Sequence, residues 1–208
     1  YRTRFLIEST VKRGVNNIEK IKILAIVGSL RKESYNRQLA LAAKEILGDR
    51  VEFSILDYED VPMMNEDIEY PAPEAVKRVR EEVKSADGIW FFTPEYNHFF
   101  PGVLKNLIDW LSRPVSKTEP QVLAGKPAAI SGVTPSTAGT IPAQDHLVTL
   151  ISLLNMDVMN APRLVVPNVM QQLDSNGRLA LNISYPLLVE QANAFVKFIE
   201  ESIICKEK

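Results

Sequence analysis

The 208 residues suit one domain, and a 46% apolar content is enough to bury a full core. A net charge of −2, from 24 basic and 26 acidic residues, provides no polyelectrolyte surface for nucleic acid and points to small-molecule partners. A single cysteine, Cys205, excludes an intramolecular disulfide, and no apolar run approaches the roughly 18 residues a membrane helix needs, so a cytoplasmic protein is expected.

Residues 1–20 carry Arg2, Arg4, Lys12 and Arg13 without the apolar centre of a secretion signal. They are expected to be an N-terminal extension or a fusion remnant, leaving 21–204 as the functional domain. From Ile21 to Val27 the chain is almost continuously apolar and β-branched, as in a parallel strand covered on both faces. At Gly28 the run turns into Ser-Leu-Arg-Lys-Glu-Ser-Tyr-Asn. Ser29, Arg31, Ser34 and Asn36 would offer hydroxyl, guanidinium and amide donors around a helix N-terminus, where free N–H groups and the dipole favour an anion. An ordinary strand-to-helix turn capped by Ser34 is the alternative, but it has no use for the guanidinium of Arg31, whereas a phosphate does.

Leu39, Ala43, Ile46 and Leu47 recur at helical spacing from a start at Ser34 or Tyr35, and Gly48 is placed to stop that helix. Val51–Leu56 alternates as an edge strand, and Asp57–Pro73, with its prolines and acids, reads as a connection. Glu74–Val83 predicts a helix packed by one stripe. Gly88–Thr93 is another apolar strand, ending in Pro94-Glu95-Tyr96-Asn97-His98 before a helix opened by Pro101. On that helix Val103, Leu107, Trp110 and Leu111 exceed one packed face, which predicts a homodimer or homotetramer, and Lys105 and Asp109 stand one turn apart. The strand–loop–helix unit then repeats: Lys126–Val133, the small-residue loop Thr134–Thr140, and a helix carrying Leu147, Leu150, Ile151 and Leu154. A strand at 163–166 and a helix over 186–204 complete the chain.

Strands alternating with helices predict an α/β fold, a parallel sheet wrapped on both faces, with the informative loops all at strand carboxyl ends where ligands of such sheets bind. Neither Gly-x-Gly-x-x-Gly nor Gly-x-x-x-x-Gly-Lys-Ser/Thr occurs.

Gly28–Asn36 and the longer stretch Pro94-Glu-Tyr-Asn-His-Phe-Phe-Pro-Gly-Val-Leu-Lys-Asn-Leu-Ile-Asp-Trp110 together closely resemble the two signatures of the NAD(P)H-dependent FMN reductases, a family of quinone, azo-dye and chromate reductases. The resemblance covers most of 21–200. It implies a flavodoxin-like three-layer sandwich with a five-stranded parallel sheet in the order 2-1-3-4-5. It also implies that Ser29, Arg31, Ser34 and Asn36 hold the FMN phosphate while Pro94, Glu95, Tyr96 and Asn97 line the isoalloxazine. NADPH or NADH would be the co-substrate, and a quinone, azo compound, free flavin or metal oxyanion the acceptor. No metal site is implied. His98 is a candidate proton donor, against the plainer reading of a solvated turn residue. The sequence departs from the family at Phe99, where a small residue is usual, in the third loop, with Gly139 its one glycine, and at Val148, where arginine is common. A flavodoxin-type electron carrier is the alternative, but a carrier that docks electrostatically is usually far more acidic.

Overall fold

A computed structural model describes residues 19–206. Residues 1–18, which hold most of the expected N-terminal extension, lie outside them. Six strands run in parallel: β1 Ile21–Val27, β2 Val51–Ile55, β3 Gly88–Phe92, β4 Pro127–Val133, β5 Asp157–Val158 and β6 Leu164–Val166. Among the described residues five α-helices are interspersed: α1 Tyr35–Leu47, α2 Glu74–Ser85, α3 Gly102–Leu111, α4 Ile141–Leu153 and α5 Tyr185–Lys206.

The sheet order is β2-β1-β3-β4, with a fifth position filled in two pieces. β5 pairs with the start of β4, at Pro127 and Ala128, and β6 with its end, at Ser131–Val133. The expected order 2-1-3-4-5 therefore stands, with the last strand interrupted. Gln191 on α5 spans the interruption: its Nε2 donates to Ile130 O (2.8 Å) on β4 and to Pro162 O (3.0 Å) between the two pieces. Its Oε1 accepts from Ser131 Oγ (2.6 Å), which itself accepts from Trp90 Nε1 (2.8 Å). A fully buried glutamine thus has its polar groups satisfied, without which its burial would cost several kcal/mol.

Alternation along the strands builds two cores. Ile23, Ala25 and Val27 of β1 and Trp90 and Phe92 of β3 face α1 and α5. Leu24 and Ile26, with Ile89 and Phe91, face α2, α3 and α4. Both faces being covered is why these strands read as unbroken apolar runs, whereas β2 at the edge exposes Glu52 and Ser54.

The connection after β2 overturns one expectation. Leu107, Trp110 and Leu111 on α3 are wholly buried, and of the four apolar residues that motivated an oligomer only Val103 is exposed, at 38%. The covering layer is the 57–73 connection, because Pro62 O accepts from both Asn106 Nδ2 (2.9 Å) and Trp110 Nε1 (2.8 Å), and Met64 N donates to Asn106 Oδ1 (2.7 Å). Further along, Glu69 makes a two-point pair with Arg113 at 2.8 and 3.0 Å, and that guanidinium holds its carboxyl below the usual range. Lys105 and Asp109 pair within their own helix at 2.7 Å.

Candidate functional site

Three loops meet at the carboxyl ends of β1, β3 and β4. In the first, Gly28 N donates to Phe92 O (2.8 Å), drawing the end of β1 against β3. A Cβ on Gly28 would stand 3.1 Å from Thr93 Oγ1 and 3.4 Å from Pro94, so glycine serves this close approach. The chain then turns through Ser34 N to Arg31 O (3.1 Å) into α1. Ser34 occupies the N-cap position in extended conformation, yet its side chain caps no amide, and the first turn of α1 holds no acid. The capped-turn alternative therefore fails, and the helix N-terminus is left open to an anion. Ser29 and Arg31 stand beside it, the guanidinium lying 5.3 Å over the Tyr35 ring.

Asn36 is engaged elsewhere. Its Nδ2 donates to Val133 O and its Oδ1 accepts from Val133 N, both at 3.0 Å, in a buried setting. The amide pins the first turn of α1 to the end of β4, joining the first loop to the third.

In the second loop, Tyr96 and Phe99 exchange two backbone hydrogen bonds (2.9 and 3.0 Å) around Asn97 and His98, both left-handed at φ 53° and 63°. A two-residue hairpin with both central residues at positive φ is type I′, in which asparagine is favoured first and glycine second. Histidine in the second position is strained by its Cβ. Beneath the hairpin the Glu95 side chain is only 7% exposed. Its Oε2 accepts from Ala143 N (3.2 Å) in the first turn of α4, and its Oε1 lies 3.4 Å from His98 Nδ1. A carboxylate from one loop thus occupies the positive end of another helix. The His98 side chain, at 84% exposure, is otherwise in solvent. Tyr96 and Phe99 are exposed, and Phe99 stacks at 4.3 Å on His146 of α4. His146 had no site signal in the sequence, because the stack joins residues from separate elements.

The third loop is built for close approach. A Cβ on Gly132 would fall 2.2 Å from Thr140 Oγ1 and 2.5 Å from Thr93 O, and Gly139, at φ 69°, lies against Val165. Asn168 N donates to Ser136 O and Val169 N to Thr134 O, both at 3.1 Å, which fixes the loop's base while 135–138 remain exposed.

Residues 21–171 match the family model for NADPH-dependent FMN reductases. The chain belongs to that family. This reductase is 37% identical to an NAD(P)H-dependent FMN reductase of Pseudomonas aeruginosa, an alignment that covers 85% of this chain and 94% of that one. It is 36% identical to a 2-hydroxy-1,4-benzoquinone reductase of a Burkholderia species, over 76% of this chain and 85% of the relative. Among solved structures it superposes on a flavoenzyme NAD(P)H:(acceptor) oxidoreductase of Paracoccus denitrificans with a TM-score of 0.78 and 32% identity, covering 88% of this chain and 99% of that one. The reductase is an enzyme that uses FMN and an NAD(P)H co-substrate on a flavodoxin-like sheet. The donors present suit that cofactor: an uncapped helix N-terminus with hydroxyls and a guanidinium is what a phosphate monoester requires.

Proposed function

We propose that this reductase carries two electrons from NADPH or NADH to a quinone at one site, releasing the first product before the acceptor enters. FMN, when bound, supplies the two-electron relay between nicotinamide and acceptor. The chain's part is to bind and orient. The first-turn amides of α1 with Ser29, Arg31 and Ser34 hold the phosphate. Pro94, Glu95, Tyr96 and Asn97 form the wall along the isoalloxazine, and Glu95 acts by fixing the hairpin to α4 at Ala143 N. Asn36 positions the cradle through Val133. The exposed Tyr96 ring and the Phe99–His146 stack offer an aromatic platform for a flat acceptor. His98 stands at the same rim, where its imidazole would deliver a proton to the reduced quinone.

The single observation carrying this reading is the open N-terminus of α1, flanked by unengaged donors in the loop that leads into it. The naming of relatives as quinone reductases supports the acceptor class. Two tests apply. The purified protein should show the visible bands of oxidised flavin, and varying NADPH against a soluble quinone should give parallel double-reciprocal lines. Intersecting lines would mean that both substrates bind together and would overturn the single-site scheme.

A homodimer or homotetramer remains part of the proposal on a different footing from the face of α3. Tyr96, Phe99, Val103 and Ile141 are exposed on the hairpin and on the first turns of α3 and α4. Sedimentation showing only monomer at micromolar concentration would rule an oligomer out. Among the described residues no helix is long and apolar enough to cross a membrane, and the one cysteine, Cys205, is free, in keeping with a cytoplasmic setting.

A further inference from the structure

The peptide between Val27 and Gly28 is the last of β1 and the first of the loop that leads to α1. Different elements hold its two ends. On one side Gly28 N donates to Phe92 O of β3 (2.8 Å). On the other, Val27 O faces β2, since alternate residues of a strand turn their backbone groups to opposite neighbours. There the ladder has already stopped: the pairing of β1 with β2 ends at Ala25 and Ile55, and Leu56 N to Ala25 O (2.9 Å) is its last rung. Two residues on, Tyr58 N would make the next rung with Val27 O if β2 continued. Tyr58 makes it with its side chain instead, the phenol donating to Val27 O at 2.6 Å. A buried carbonyl is thus satisfied by the residue whose amide has turned away.

The strut is rigid. Tyr58 is buried, with its ring in the core that also holds Leu24, Ile26 and Leu56. Burial pushes the phenol above its ordinary pKa, so the hydroxyl keeps its proton and remains a donor. The turn that carries Tyr58 is held in its turn by Arg78 of α2, whose guanidinium donates to Asp57 O (2.7 Å) and pairs with Asp60 (2.6 Å). We propose that Tyr58 is a positioning residue for the FMN phosphate: by fixing the plane of the Val27–Gly28 peptide it sets the direction in which the first loop leaves the sheet, and so where Ser29, Arg31 and the first-turn amides of α1 stand. The proposal rests on the reading of that loop as the phosphate cradle and adds the residue that aims it. Asn36 fixes the far end of the loop through Val133, and Tyr58 fixes the near end. With the near end free, donors that must converge on one small anion lose their common focus, whereas the proposed wall for the isoalloxazine, on the loop after β3, has no such dependence.

The experiment titrates apoprotein with FMN and with riboflavin, the same ring without the phosphate, in the parent, Tyr58→Phe and Tyr70→Phe. The last removes another tyrosine hydroxyl that donates to a backbone carbonyl, Pro114 O (2.9 Å), beyond the carboxyl end of α3. The parent should bind FMN at least about a hundredfold more tightly than riboflavin. Tyr58→Phe should lower that ratio roughly tenfold, with riboflavin within about twofold of the parent, and Tyr70→Phe should leave the ratio unchanged. The ratio is independent of how much of a variant is folded, because an unfolded fraction weakens both ligands alike. A full ratio in Tyr58→Phe, or an equal loss for the two flavins, would assign Tyr58 to the fold alone and overturn the proposal while leaving the cradle intact. A parent that binds the two flavins alike would overturn the cradle itself, and the proposal with it. Should Tyr58→Phe not fold, Arg78→Ala decides the matter by loosening the turn that carries Tyr58 from a partly exposed site: a smaller fall in the same ratio is expected there, and an unchanged ratio overturns the proposal.

Discussion

The N-termini of α1 and α4 begin from the same construction and are finished in opposite ways. Each follows a parallel strand and a short loop at the carboxyl edge of the sheet, and each presents free amides and a positive dipole end. At α4 the chain supplies its own anion, the Glu95 carboxylate on Ala143 N, delivered from a loop 48 residues earlier. At α1 it supplies none in the helix itself: the N-cap serine makes no side-chain bond and no acid stands in the first turn, while Arg31, Lys32 and Arg37 surround the end in sequence, with Glu33 the one neighbouring acid. One end is closed by the protein and contributes to the fold, and the other is left without a side-chain partner, which is why it is proposed to take the phosphate. The two are mechanically joined, since Asn36 in the first turn of α1 grips Val133 at the strand end that leads toward α4.

Converting the open end into a closed one should have the largest effect. Ser34→Asp puts a carboxylate where the proposed cradle would hold the phosphate. Two like charges about 4 Å apart repel by about 4 kcal/mol at an effective dielectric of ~20. FMN affinity should therefore fall more than about a hundredfold while the apoprotein melts no lower than the parent, since aspartate is a good N-cap. Unchanged affinity in a flavin titration would break the comparison. Arg31→Ala should cost roughly ten- to a hundredfold in FMN affinity by loss of one charge-assisted contact. The same titration decides it, and an equal dissociation constant for mutant and parent refutes the cradle.

Asn36→Ala separates the joint from the ligand site. It leaves both polar groups of Val133 without their partners, at a cost of about 1–3 kcal/mol in urea unfolding of the apoprotein. An apoprotein as stable as the parent would mean that the bonds to Val133 contribute little. Smallest should be Glu95→Gln, which keeps the shape and removes the charge from the α4 terminus. Roughly 0.5–1 kcal/mol of stability should be lost, with FMN affinity changed far less than in Arg31→Ala. A loss of flavin as large as that of Arg31→Ala would show that Glu95 acts on the ring directly and that the closed end is not merely structural.

What the sequence could announce depended on whether neighbours along the chain were also neighbours in space. Ile21–Val27 and Gly88–Phe92 were legible as buried strands because both their faces meet helices, and the Pro94–Trp110 stretch carried the family in one piece. Asp157–Val158 could not be read, since two residues with one exposed side have no alternation to detect. The 96–99 hairpin was hidden by His98, which occupies a left-handed position where glycine is the usual signal. Counting apolar residues on α3 suggested a spare face. The layer that covers it packs Val61, Met64 and Ala72 on α3 and bonds to it through Pro62 O and Met64 N. Neither the scattered apolar residues nor the backbone groups show a period that would mark them as a cover. For the site, Ser29, Arg31 and Ser34 were identifiable as donors by type and spacing. The use of Asn36 on Val133 spans 97 residues and only the folded chain displays it.

The two bonds between Asn36 and Val133 also bear on how such an enzyme diversifies. Because they yoke the phosphate end of the cradle to the strand that carries the third loop, a shift in one is felt by the other, and the grip on the cofactor is inherited as a unit. Residues 135–138 hang outside that yoke, exposed and anchored only at their base through Thr134 and Ser136. Substitutions can therefore accumulate there, one side chain at a time, without loosening the joint between Asn36 and Val133.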